Sequence, residues 1–323
     1  MNDDNPGLPA SASSTPGWER ATIEKLVFAT IREQQAARRW KLFMRLVWLG
    51  IFGAIFWFLY IADSVSSSVS TPHTAVIEIR GEIASGAEAS AANVVSSLVS
   101  AFEDKGAQAI VLLIDSPGGS PVQAGIINDE ITRLKALHNK KVYAVVEETC
   151  ASAAYYIAAA ADDIYVDKAS LIGSIGVLMD GFGFTGLMDK LGIERRLMTA
   201  GENKAMLDPF SPQDDEQRAY IQTMLGEIHT QFITVVKQGR GTRLKESPDT
   251  FTGLVWSGQQ AVALGLADGL GSLDFVAREI VKAEDIVDYT QRENLGLRLA
   301  KRFGASVGEG VFFAAKAAGL QLK

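Results

Sequence analysis

One cysteine and three histidines in 323 residues set the first limits on this chain. With Cys150 alone no intramolecular disulfide can form and no Cys/His zinc spacing exists, so the thiol says little about redox compartment. Excess positive charge is missing too. Lys and Arg number 31 against 38 Asp and Glu, and a net charge of −7 argues against a general nucleic-acid binder. No internal repeat is evident, and neither a metal nor a cofactor is expected. The scarcity of histidine matters most, because histidine is the usual base for a serine or cysteine nucleophile.

What the chain has in abundance is an apolar run near its start. Residues 1–18 are rich in Pro, Ser, Gly and Ala and read as disordered, and 19–40 read as a charged helix within a cytoplasmic segment 1–40. Leu42–Ala62 then supplies about the 20 apolar residues a bilayer span needs, and the span is placed at 41–62. Trp40 and Trp48 on one side, and Trp57 and Tyr60 on the other, suit the two interfaces. Arg32, Arg38, Arg39, Lys41 and Arg45 precede or enter the span, and no Lys or Arg follows until Arg80. That asymmetry places the N-terminus in the cytoplasm and the rest outside, as on a single-pass bacterial inner-membrane protein with a periplasmic domain. Residues 63–73 read as a flexible stalk that includes His73.

Beyond the stalk, strand and helix patterns alternate through a domain placed at 74–290. Strands are expected at Ala75–Ile79, Ala109–Ile114, Val142–Val146, Ile164–Val166 and Arg196–Met198. Helices are expected at Ala91–Glu103, Val122–Leu137, Ser152–Ala161, Asp214–Lys237, Gly258–Leu264 and Leu273–Ala283. This pattern implies an α/β fold, a mainly parallel sheet flanked by helices, with sites at the carboxyl ends of its strands. The tail 291–323 mixes basic and apolar residues. It suits an anionic lipid surface, a neighbouring subunit, or a solvated segment.

Two loops lie beyond strand ends. After Ile114 comes Asp115-Ser116-Pro117-Gly118-Gly119-Ser120, which contains neither G-x-G-x-x-G nor G-x-x-x-x-G-K-[ST] and so gives no support for a phosphate loop. Its glycines permit positive φ and close approach to a ligand, and their N–H groups could face a developing oxyanion; a plain strand-to-helix turn fits equally. Asp115 reads as a structural cap. After Val146 come Glu147-Glu148-Thr149, then Cys150-Ala151-Ser152 and the helix former run Ala153–Ala161. Ser152 reads either as an exposed nucleophile or as a helix cap. Cys150 is discounted as a nucleophile, since no histidine is placed to make a thiolate. His73, His138 and His229 do not fall in loops beyond strand ends. A desolvated lysine can replace histidine as the base, and Lys204 in Gly201–Pro212 is the candidate, with an ordinary paired loop lysine as the alternative. Ser174, in Leu171–Val177, either orients such an amine or sits in a tight turn.

Taken together, five segments resemble the S49 family of serine peptidases, the signal peptide peptidase A type. They are IDSPGGS at 114–120, ASAAYYIAAAAD at 151–162, LIGSIGV at 171–177, GENKAMLDPFSP at 201–212 and VWSGQQAVALGLADGLG at 255–271. The resemblance covers roughly 75–281 and implies a Clp-protease/crotonase-like fold. It puts the nucleophile on Ser152, the general base on Lys204 and the auxiliary serine on Ser174. The oxyanion hole falls on Gly118, Gly119 and Ala153. The family commonly has glycine after the serine, whereas this chain has Ala153 and Ala154. The resemblance further implies a homo-oligomer acting on apolar, extended peptides such as signal-peptide remnants, in a cleft lined by residues like Leu178 and Met179. A crotonase-like acyl-CoA enzyme and a catalytically silent membrane scaffold are the competing readings.

Overall fold

The computed structural model describes residues 38–57 and 71–292. The chain divides into two units, Met1–Ser67 and Ser68–Lys323. In the first, helix α1 (Arg38–Trp57) is 20 residues long, with a mean hydropathy of 1.4 and no burial. By length and composition it is able to cross a bilayer. The expected span beyond Trp57, most of the stalk, the N-terminal segment before Arg38 and the tail after Arg292 lie outside the described residues.

The second unit is built on one sheet of eight strands. These are β1 (His73–Arg80), β2 (Ala107–Ser116), β3 (Lys141–Ala151), β4 (Asp163–Val166), β5 (Leu171–Gly173), β6 (Val255–Ser257), β7 (Gly269–Leu270) and β8 (Ile286–Asp288). The main path runs β6-β5-β3-β2-β1-β8, with β4 on β3 and β7 on β4. Every pairing is parallel except β5 with β6. Side chains alternate across the central strands. Ile110, Leu112 and Ile114 enter a large core on one face, and Val111 and Leu113 a smaller one on the other. Burial of both faces is why β2 reads in sequence as a continuous apolar run.

Crossovers are made by α2 (Ala91–Glu103), α3 (Pro121–His138), α4 (Ala153–Ala158), α5 (Thr185–Leu191), α6 (Asp215–Arg240), α7 (Gly258–Leu264) and the short turn α8 (Leu273–Phe275). Ser120 caps α3, Asp214 caps α6, and Ser257 with Gln260 forms a capping box on α7. The mainly parallel sheet flanked by helices is as expected from the alternation.

Several local expectations need correction. Strand β3 runs through Glu147–Thr149 to Ala151, because β5 pairs with that extension while β4 pairs with Tyr143–Val146. Residues 196–198 form no strand; they are exposed, and among the described residues no strand pairs with them. The helix expected over Leu273–Ala283 becomes α8 followed by a π-helical turn, Val276–Val281. His73 belongs to β1 rather than a stalk. It is fully buried, its Nδ1 lies 2.9 Å from the Thr71 carbonyl, and its Nε2 lies 3.0 Å from the Tyr289 hydroxyl.

One ion pair closes the domain beneath α6. Arg240 is only 1% exposed; its Nη2 and Nη1 donate to Asp268 at 2.8 and 2.9 Å, and its Nε donates to the Gly265 carbonyl at 2.8 Å. Burial alone would raise the Asp268 carboxyl. Hydrogen bonds from Arg240 and the Ile164 N–H outweigh that and hold it below its ordinary value. A carboxyl held low in the folded state contributes stability above its unfolded pKa, and the contribution is lost as pH falls through the folded value. Asp268→Asn is expected to cost about 3–5 kcal/mol at neutral pH, because it leaves a buried guanidinium without its counter-charge. It should also flatten the loss of stability below about pH 4. Denaturant unfolding of the detergent-solubilised chain at neutral and acid pH measures both effects.

Candidate active site

Ser152 stands where β3 ends and α4 begins, at φ 53° and ψ −124°. Positive φ is strained for a residue with a Cβ, typically by about 1–3 kcal/mol. Sharp strand-to-helix turns of this kind lift a serine hydroxyl clear of the sheet. The turn is held from both sides: the Ser152 N–H donates to the Gly173 carbonyl at 2.8 Å, and its carbonyl accepts from the Tyr156 N–H at 3.0 Å. Ser152 makes no side-chain capping bond, so the cap alternative finds no support. Ala153 and Ala154 are buried in the first turn of α4, and neither has positive φ, so alanine fits where the family commonly has glycine.

The loop after β2 presses on this turn. Gly118 and Gly119 have φ of 106° and 148°. A Cβ on Gly118 would lie 2.7 Å from the Ser152 Cβ, and one on Gly119 would lie 2.3 Å from the Ile83 carbonyl oxygen. The two glycines are not equivalent. Gly118 is buried and its N–H donates to Ser116 Oγ at 3.1 Å, whereas Gly119 is exposed at the rim of the cleft. Among the described residues no acceptor pairs with the N–H of Gly119 or of Ala153.

Gly119, Ser152, Ala153 and Ser174 share one open cleft of about 510 Å³, whose apolar walls include Tyr156, Val177, Leu178 and Phe232. Ser174 also has positive φ, 50°, and its N–H donates to the Leu254 carbonyl at 2.8 Å. Leu178 lines this cleft as expected, while Met179 lines a neighbouring cavity instead. Tyr156, not singled out in the sequence, lies one helical turn after Ser152 and so reaches the same cleft. Phe232, whose ring centroid is 5.2 Å from that of Tyr156, comes from α6 and carries no local signal. His229, also on α6, places Nε2 3.0 Å from the Ile175 carbonyl, beside Ser174 but not lining the cleft.

Among the described residues Lys204 makes no hydrogen bond to Ser152 within one chain. It is exposed on the turn-rich segment 200–207, forms no ion pair among the described residues, and does not line the cleft. Asp208, four residues further on, pairs with Arg195. The expected desolvation of Lys204 is therefore absent from the single chain. Cys150 is wholly buried, and that burial pushes its thiol pKa up, which suits a packing residue. The run Gly181-Phe182-Gly183-Phe184-Thr185-Gly186 enters α5 with no strand immediately before it, so it lacks the setting of a dinucleotide loop.

The profile of Peptidase family S49 matches residues 135–287. A protein of Methanocaldococcus jannaschii described as a protease is 32% identical over 215 residues, 65% of this chain and 68% of its own length. The chain belongs to peptidase family S49. A signal peptide peptidase SppA homologue of Enterococcus faecium is 30% identical over 198 residues, 61% of this chain and 57% of its own length. Higher identity, 44% over 203 residues, is found with a Brucella melitensis protein named as the Na(+)/H(+) antiporter NhaA. That match takes in 61% of this S49 chain but only 28% of the Brucella protein, and the antiporter name describes the longer molecule.

Methyl groups at the two loop glycines of this S49 chain would collide with backbone on both sides. Gly118→Ala and Gly119→Ala are each expected to lower Tm by several degrees, at about 2–4 °C per kcal/mol for a domain of this size. Thermal unfolding at the wild-type temperature in either variant would contradict the packing described.

Proposed function

We propose that this chain is a membrane-anchored serine endopeptidase using Ser152 as nucleophile and Lys204 as general base. The observation that carries the reading is the strained Ser152 turn sharing one cleft with Gly119, whose N–H has no acceptor among the described residues. In the reaction, neutral Lys204 takes the Ser152 hydroxyl proton as Oγ bonds to the peptide carbonyl carbon. The oxyanion accepts hydrogen bonds from the amides of Gly119 and Ala153. Collapse breaks the C–N bond, the lysine returns its proton to the leaving amine, and water then hydrolyses the ester by the same steps. Ser174, in the same cleft, accepts a hydrogen bond from the lysine and orients it.

Lys204 reaches the cleft from a second copy of the chain. What supports this is its exposure in one chain, together with the apolar residues left open on the same stretch, Leu178 at 82% and Met198 at 95% exposure among them. Contact between copies would cover that surface, dry the amine and favour its neutral form. Apolar side chains around Ser152 favour extended apolar peptides, and helix α1 holds the domain near a bilayer where signal-peptide remnants are released. The reading sets the domain on the outer face of the bacterial inner membrane; positive charge before the span, with no Lys or Arg after it until Arg80, supports that orientation.

Ser152→Ala and Lys204→Ala are each expected to lower kcat on an unstructured apolar peptide by about 10³-fold or more. Mixed assemblies of the two inactive variants should recover part of the activity, since one interface then carries both intact residues. Near wild-type turnover in either variant overturns the dyad, and failure of mixing assigns the base to the same chain. A silent scaffold would show no fluorophosphonate labelling, and an acyl-CoA enzyme would be stabilised thermally by CoA.

A further inference from the structure

The loop that would bind the oxyanion is built from two consecutive glycines, and a glycine peptide is free to flip. If the 118–119 peptide turned over, a carbonyl oxygen would face the cleft where a donor is needed. The structure shows what opposes this. Ile83 N–H donates to the Gly118 carbonyl at 2.9 Å, and the Ile83 carbonyl accepts from Ser120 N–H at 2.7 Å. In a trans peptide the C=O and N–H point in opposite directions, so holding the Gly118 carbonyl on Ile83 turns the Gly119 N–H away from it.

The preceding peptide is held by Ser116. This residue is fully buried at the last position of β2, where the register with β3 shifts. Its hydroxyl donates to the Gly81 carbonyl at 2.6 Å and accepts from the Gly118 N–H at 3.1 Å. Gly81 N–H in turn donates to the Asp115 carbonyl at 3.0 Å. The one hydroxyl thus joins the exit of β1 to the exit of β2 and occupies the Gly118 N–H, leaving Gly119 as the loop donor at the cleft.

We propose that Ser116 is a positioning residue of the oxyanion hole: its buried hydroxyl sequesters the Gly118 amide so that the Gly119 amide faces substrate. This rests on the peptidase reading for its consequence in catalysis but not for its geometry. Ser116 does not line the cleft, and its hydroxyl bonds only to the Gly81 carbonyl and the Gly118 N–H among the described residues, so it acts through the loop. Losing an oxyanion donor outright costs about 10²–10³ in kcat, and loosening one costs less.

The test uses the full chain in detergent micelles, with Ser116→Ala as the main variant. In the wild type, residue-resolved hydrogen exchange should find the Gly118 amide protected and the Gly119 amide fast. In Ser116→Ala, Gly118 should lose protection, and kcat on an apolar peptide should fall about 10–100-fold while KM stays within about twofold. Ser116→Cys keeps a weak donor and acceptor of similar size, and it should show the same losses in smaller measure if the alanine variant does not fold. A wild-type Gly118 exchanging as fast as Gly119 overturns the proposal. So does an unchanged kcat in Ser116→Ala of an enzyme that Ser152→Ala inactivates. Exchange needs no turnover, so in a chain without peptidase activity Gly118 protection still decides the placement while the dyad reading fails alone.

Discussion

A single backbone conformation organises the cleft: Ser152 held at positive φ at the end of an overlong strand. The strain is sustained because its surroundings leave no other path. The N–H of Ser152 is committed to Gly173, its carbonyl to the next turn of α4, and the space beside its Cβ is filled by the backbone of Gly118. Each of these partners comes from a different part of the chain. The hydroxyl is therefore presented jointly by the sheet, the loop after β2 and its own helix.

The sheet delivers those partners because β3 has two neighbours along one side. Its first half pairs with β4 and buries apolar residues, and its second half pairs with β5 and carries the chain out to Ser152. The exits of β1 and β2 rise beside it and are tied to one another through Ser116, Gly81 and Ile83. An ion pair crosses the same edge, with Arg80 Nη1 2.6 Å from Glu147 of β3. Both groups are substantially exposed, so its contribution to stability is small. What gives the edge its shape is the set of backbone hydrogen bonds.

Much of this architecture was legible. The apolar runs of β1, β2 and the first half of β3 and the helices α2 and α6 were readable, because period and local chemistry are properties of neighbouring residues, whereas the caps Ser120 and Ser257 came only with the structure. The second half of β3 was not, since Glu147-Glu148-Thr149 reads as a turn until β5 arrives to pair with it. Arg196–Met198 failed in the opposite sense: a strand-like composition with no partner remains an exposed coil. His73, read as part of a stalk, is drawn into β1 and buried beside Tyr289, a residue far along the chain.

The candidate site divides in the same way. Residue types and order raised Ser152, Ser174, the paired glycines and Lys204 as candidates, each beside a plain structural alternative, and only the resemblance to the S49 family implied their roles. Which glycine amide is free, which aromatic rings wall the cleft, and where Lys204 stands relative to the serine depended on contacts between segments remote in sequence. Hydrogen bonds are exclusive, so an amide taken by Ser116 is lost to a ligand, and only the folded arrangement decides which amide is taken.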